Sequence, residues 1–167
     1  MKVLVPIEDD FVAEAQTDFI ASYKWPDDTE IGLVHVLHTL MVERSMVSSQ
    51  VYLDKLMKEA LLDADKVMTA IEAKIKIDCP ELYVSRSFLE GSAVEQILDM
   101  AESWSADMIL LCSHGREGIA QLVLGSVSYN VLVHSPCKVI ILGLPHDSRQ
   151  KSDPRSWKDA HMQVTLR

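Results

Sequence analysis

Residues able to do chemistry gather in one stretch of this chain, Leu110-Leu-Cys-Ser-His-Gly-Arg-Glu-Gly-Ile-Ala-Gln-Leu-Val-Leu-Gly-Ser-Val-Ser-Tyr-Asn-Val-Leu132. An apolar run, Asp107–Cys112, reads as a buried strand, a glycine-bearing loop follows, and Gly125-Ser126 opens a helix that reads to about Val133. The first backbone N–H groups of a helix lack partners and its dipole is positive there, so this arrangement favours an anion such as phosphate. Arg116, in the loop, is a candidate phosphate partner or a solvated loop charge. Two familiar phosphate motifs are excluded. The stretch lacks the Gly-Lys-Ser/Thr of a P-loop, and the glycines at 115, 118 and 125 do not form GxGxxG.

Other reactive types do not combine. Ser113 and His114 are neighbours that diverge, and His134 and Cys137 straddle Ser-Pro at a strand entry, so neither makes a nucleophile–base pair. No catalytic residue is identified. His35 and His38 are three apart on a strand and cannot share a metal from opposite faces. Cys79, Cys112 and Cys137 form no CxxC pair and are odd in number, which indicates neither a disulfide framework nor a zinc site; they read as buried thiols in a reducing compartment. Bland roles stay open for the rest. The glycines can serve simply as turn residues, Ser126 as an N-cap, and Glu8-Asp9-Asp10 as complements to a helix dipole.

The elements that must position these groups follow from hydrophobic spacing. Met1–Ile7 is a short β-branched run that stops at Glu8, and Phe11, Ala15, Phe19 and Ile20 then recur at helical spacing. After the break at Pro26-Asp27-Asp28, Ile31–Leu37 is apolar on both faces, as parallel-sheet strands are. A long helix is expected from about Ser48 to Ile77, with Val51, Leu56, Met57, Ala60, Leu61, Ala64, Val67, Met68, Ile71 and Ile75 as its buried stripe. Cys79-Pro80 ends it, and Leu82–Leu89 alternates as a third strand. Ser92 and Glu95 are spaced as a capping box for the next helix, whose stripe is Ile97, Leu98 and Ala101. Asp107–Cys112 is the fourth strand and Lys138–Leu142 the fifth. Strict alternation of strand and helix predicts right-handed crossovers and a doubly wound parallel sheet.

Composition bounds the function. The 167 residues, 48% of them hydrophobic, suffice for one core and not for two ordinary domains. A formal net charge of −9 argues against nucleic acid as a partner, because phosphate binding over a broad surface draws on clustered Lys and Arg. No apolar stretch reaches the roughly 18 residues of a membrane helix and no apolar leader follows Met1-Lys2, so a cytoplasmic protein without membrane contact is expected. Residues 144–167 differ from the body: five basic residues and three Asp give the tail +2 and leave −11 on residues 1–143. Trp157 is its expected packing anchor, on the body or on a dimer partner.

The chain closely resembles the universal stress protein family, whose ATP-binding members carry Gly, two residues, Gly, nine residues, then Gly-Ser or Gly-Thr. Here Gly115 is followed nine residues later by Gly125-Ser126, and Cys112 stands where the motif's first glycine belongs. Val3-Leu4-Val5-Pro6, Leu33-Val34-His35-Val36, Gly91-Ser92-Ala93 and Ser135-Pro136-Cys137-Lys138-Val139 carry the resemblance further, over residues 1–143. It implies a Rossmann-like sheet of five parallel strands in the order 3-2-1-4-5 with helices on both faces, the adenine nucleotide alpha hydrolase-like fold. It also implies a ligand crevice at the switch point between strands one and four.

Carried over by position, the resemblance implies an ATP site, with Mg or Mn as accompanying ion. Pro6, Glu8 or Asp9 would lie near adenine and ribose, and Val36 would offer backbone contacts to adenine. Gly115, Gly125, Ser126, Val127 and Ser128 would cradle the phosphates, with Cys112, His114 and Arg116 as further candidate cofactor-binding residues. Glu8 is one methylene longer than the family's usual Asp, and the Cβ and sulfur of Cys112 would take space the family leaves for the nucleotide. The implied function is a regulatory stress-response module that binds nucleotide, with at most slow ATP hydrolysis; the alternative is a nucleotide-free homodimeric scaffold of the same fold. The fifth strand, with Val139, Ile140, Ile141 and Leu142, would lie at the sheet edge and pair with its copy in a homodimer.

Overall fold

A computed structural model describes residues 1–8, 10–37, 50–113 and 124–143. Within them the chain runs β1 (Lys2–Pro6), α1 (Asp10–Ser22), β2 (Glu30–Leu37), α2 (Gln50–Asp78), β3 (Tyr83–Glu90), α3 (Ala93–Ser103), β4 (Met108–Ser113), α4 (Ser126–His134) and β5 (Lys138–Gly143). All strands are parallel, in the order β3-β2-β1-β4-β5. The tail, including Trp157, lies outside the described residues.

Strand period decides which layer each side chain enters. Val3, Val5, Leu33, Leu110, Ile140 and Leu142 point into one cluster with Phe19 and Ile20 of α1 and Met68, Ile71 and Ile75 of α2. Leu4, Val34, Ile109, Leu111, Val139 and Ile141 point into the other, against Ile97 and Ala101 of α3 and Val131 of α4. Burial on both faces is why these strands read as continuous apolar runs rather than alternating ones. The four apolar residues of β5 are therefore core side chains, and only its backbone forms the sheet edge.

Two expectations change in detail. The buried stripe of α2 narrows to Ala64, Met68, Ile71 and Ile75, while Leu61 is 38% and Leu62 53% exposed. A 29-residue helix is about 43 Å long against about 26 Å for an eight-residue strand, so the sheet cannot cover its N-terminal half. Ser92 occupies the N-cap of α3 with extended dihedrals, yet its side chain makes no capping bond. A side-chain network holds α2 to the outer strand β3: Arg86 reaches Asp65 (2.9 Å) and Thr69 (2.5 Å) through one terminal nitrogen and Glu72 (2.8 Å) through Nε. Lys74 meets Asp18 at 2.6 Å and ties α2 to α1.

Candidate functional site

The central strand pairs unequally with its two neighbours. Against β2, β1 is in register over five residues, Lys2–Pro6; against β4 the register covers only Val3 and Leu4. Proline explains the difference. In the same register the next ladder bond would run from the Pro6 N–H to the Leu110 carbonyl, and proline has no N–H. The ladder thus stops short of the carboxyl ends of the two strands, at the point where strand order reverses, which is where ligands bind in open α/β sheets.

A side chain fills the gap in the ladder. Nε2 of Gln16, on α1, donates at 2.9 Å to the Pro6 carbonyl and at 2.9 Å to the Leu110 carbonyl, and the residue is 0% exposed. Its Oε1 is buried and finds no hydrogen-bond partner among the described residues.

One wall of the crevice is built by the ends of β1 and β2. Ile7 N–H donates to the Val34 carbonyl at 2.8 Å, and His35 Nδ1 lies 2.9 Å from the Ile7 carbonyl. A carbonyl only accepts, so Nδ1 carries the proton and Nε2 of the neutral ring holds a lone pair. Glu8 follows at once, exposed. Because alternate residues of β2 turn their backbone groups toward β1, Val36, two beyond Val34, presents its N–H and C=O on that side past the last paired residue of β1.

The other wall is built by β4 and α4. Cys112 is buried, its sulfur 3.9 Å from the Val12 carbonyl of α1, in the core layer rather than toward α4. Its own carbonyl accepts from Ser128 Oγ at 3.1 Å, which pins the first turn of α4 over the end of β4. The hydroxyl of Ser128 is thereby spent inward, and its backbone N–H is the group left to face a ligand. Gly125 is the N-cap; its carbonyl takes the first helical bond, from Tyr129 N–H at 2.9 Å, so the N–H groups of Ser126, Val127 and Ser128 have no intrahelical acceptor. Gly125 has φ −58°, open to any residue, and among the described residues nothing stands within 4 Å of where a Cβ would be. Neither backbone conformation nor packing among the described residues calls for glycine there, whereas close approach of a ligand would. Val127 packs against the α3 side of the core.

Asp9, His114, Gly115 and Arg116 lie outside the described residues. Among the described residues no group of three or more His, Cys, Asp or Glu is placed to hold a metal, and no helix is long and apolar enough to cross a membrane. Burial pushes the thiols of Cys79 and Cys137 above their ordinary value; Glu81 and Asp78 add to this at Cys79, while a Ser135 hydrogen bond opposes it at Cys137 and Asp107 adds to it.

Residues 1–143 match the sequence profile of the universal stress protein family. The chain belongs to the universal stress protein family. It is 32% identical over 114 residues to universal stress protein A homolog 2 of Coxiella burnetii, covering 68% of this chain and 73% of that protein. Its fold is similar to that of MJ0577 from Methanocaldococcus jannaschii, with a TM-score of 0.73 at 24% identity over 87% of this chain and 97% of that one. It is also similar to a universal stress protein of Archaeoglobus fulgidus solved in complex with dAMP, with a TM-score of 0.59 at 17% identity over 84% and 96% of the two chains.

For this universal stress protein, reading the sequence missed Gln16. The signal was there: Gln16 falls four residues after Val12 and three and four before Phe19 and Ile20, a long polar residue on the apolar stripe of α1. Such a residue must find partners inside the core.

Proposed function

We propose that the protein is a regulatory, stress-response module that binds an adenine nucleotide, ATP with Mg or Mn, in the crevice between β1 and β4. The observation that carries this reading is the start of α4, where three backbone N–H groups stand beside a glycine whose missing Cβ leaves open space. The phosphates would lie on Ser126, Val127 and Ser128 through those N–H groups, with Gly115, His114 and Arg116 completing the cradle. Adenine would take the Val36 backbone, and Pro6 with Glu8 or Asp9 would line the ribose side. The accompanying ion would be held by the nucleotide's own phosphates. Cys112, standing at the family motif's first glycine, is compatible with this because its sulfur packs toward Val12.

The module acts by being loaded or empty rather than by fast turnover. Its active unit is a homodimer that extends the sheet through the backbone edge of β5, with the basic segment 144–167 folded on the body or on the partner's acidic body. Mg-ATP should raise the melting temperature, since a ligand of the native state contributes about 2.7 kcal/mol at 100 times its dissociation constant. No shift at millimolar Mg-ATP, together with no adenine nucleotide released on denaturing the purified protein, overturns the reading.

A further inference from the structure

We infer that Gln16 is the positioning residue of this crevice, setting the separation of the two strand ends that a nucleotide must bridge; the inference rests on the nucleotide reading above. One carboxamide nitrogen supplies both hydrogens that the interrupted ladder lacks, to the Pro6 carbonyl on one wall and the Leu110 carbonyl on the other. Each carbonyl lies two residues before a crevice-lining position, Glu8 on β1's side and Cys112 on β4's. The link continues outward from both. Cys112 passes it to α4 through the bond from Ser128 Oγ, and Ile7 passes it to β2 through Val34 and His35.

Among the described residues Oε1 finds no donor, and an apolar side chain of equal volume would relieve that one acceptor only by leaving two, the Pro6 and Leu110 carbonyls, without theirs. What an apolar residue cannot do is hold two carbonyl oxygens, which repel one another, at a fixed distance across a strand gap.

The test uses the full chain with Gln16→Met, which keeps the volume and removes the donor, and Gln16→Asn, which keeps the donor and shortens its reach. Mg-ATP titration is expected to give at least tenfold weaker binding for both. The melting temperature of Gln16→Met should fall, because the Pro6 and Leu110 carbonyls lose their donor, with the chain still folded at the titration temperature, and the carbonyl carbon resonances of Pro6 and Leu110 should shift. Wild-type affinity in Gln16→Met, or affinity losses that simply follow losses of melting temperature, would overturn the inference. If the wild-type chain binds no nucleotide, the functional reading fails by itself, and amide exchange decides for Gln16. Faster exchange at Ile7, Cys112 and Ser113 in Gln16→Met upholds its role in framing the crevice, and unchanged exchange overturns it.

Discussion

The ring of Trp104 lies directly over Gly32, so close that a Cβ on Gly32 would stand 2.9 Å from both Cη2 and Cζ3 of the indole. Lys2 also holds the residue, since its Nζ sits 5.5 Å from the ring centroid and donates to the Trp104 carbonyl at 3.3 Å. The end of α3 thus rests on the middle of β2 through a contact only glycine permits.

Gly32→Ala should therefore destabilise the fold by about 1–3 kcal/mol, the usual cost of overpacking a filled site. Urea unfolding followed by tryptophan fluorescence measures it. A change below half that lower bound would mean that the indole swings aside freely.

Gly125→Ala should do the opposite. Its dihedrals suit alanine and its Cβ meets open space, so the expected loss of stability is under about 1 kcal/mol, from weaker N-capping alone. Mg-ATP affinity should fall at least tenfold. Equal affinity would remove the case for a phosphate at the start of α4.

Pairing through β5 predicts a concentration-dependent protection pattern. Among the described residues no strand lies beyond β5, so in a monomer those of its amides that point outward should exchange quickly, and in the dimer they become protected. Exchange measured at sub-micromolar and at tens of micromolar protein, beside sedimentation velocity, checks this. Rates that do not depend on concentration would place the interface elsewhere.

The thiols of Cys79 and Cys137 should be poor nucleophiles. Both are held above their ordinary value mainly by burial, so near pH 8 the native chain carries less thiolate than the unfolded one and should be alkylated by iodoacetamide more slowly at these positions. The sign for stability follows. A raised thiol contributes stability below its unfolded value and loses it as pH rises through that value, so the urea midpoint should decline above about pH 8.5. A midpoint flat to pH 10 would contradict it.

The order of elements was legible because strands covered on both faces leave uninterrupted apolar runs, as at Leu33-Val34 and Ile140-Ile141. The start of α4 was legible for a related reason, since glycine followed by serine before an apolar run is a local signal. The reach of the core along α2 was not. Leu61 obeys the helical period as well as Met68 does, and only the sheet beneath decides which is covered. The Ser128 hydroxyl was assigned to the crevice by position along the chain, whereas its orientation depends on a carbonyl sixteen residues away. Gln16 escaped for the same reason: its partners lie on two strands, 10 and 94 residues distant.

The two borders of the sheet are unlike. Along β3 the polar and charged residues Ser85, Arg86, Ser87 and Glu90 replace the apolar run, and Arg86 is anchored to three residues of α2. Along β5 the side chains of Val139, Ile140, Ile141 and Leu142 are turned into the core and Lys138 is exposed at its start, with no comparable network among the described residues. Copies joined at β5, as proposed, would present only β3 borders outward, so that both ends of a ten-stranded sheet would carry the polar strand and neither the apolar one.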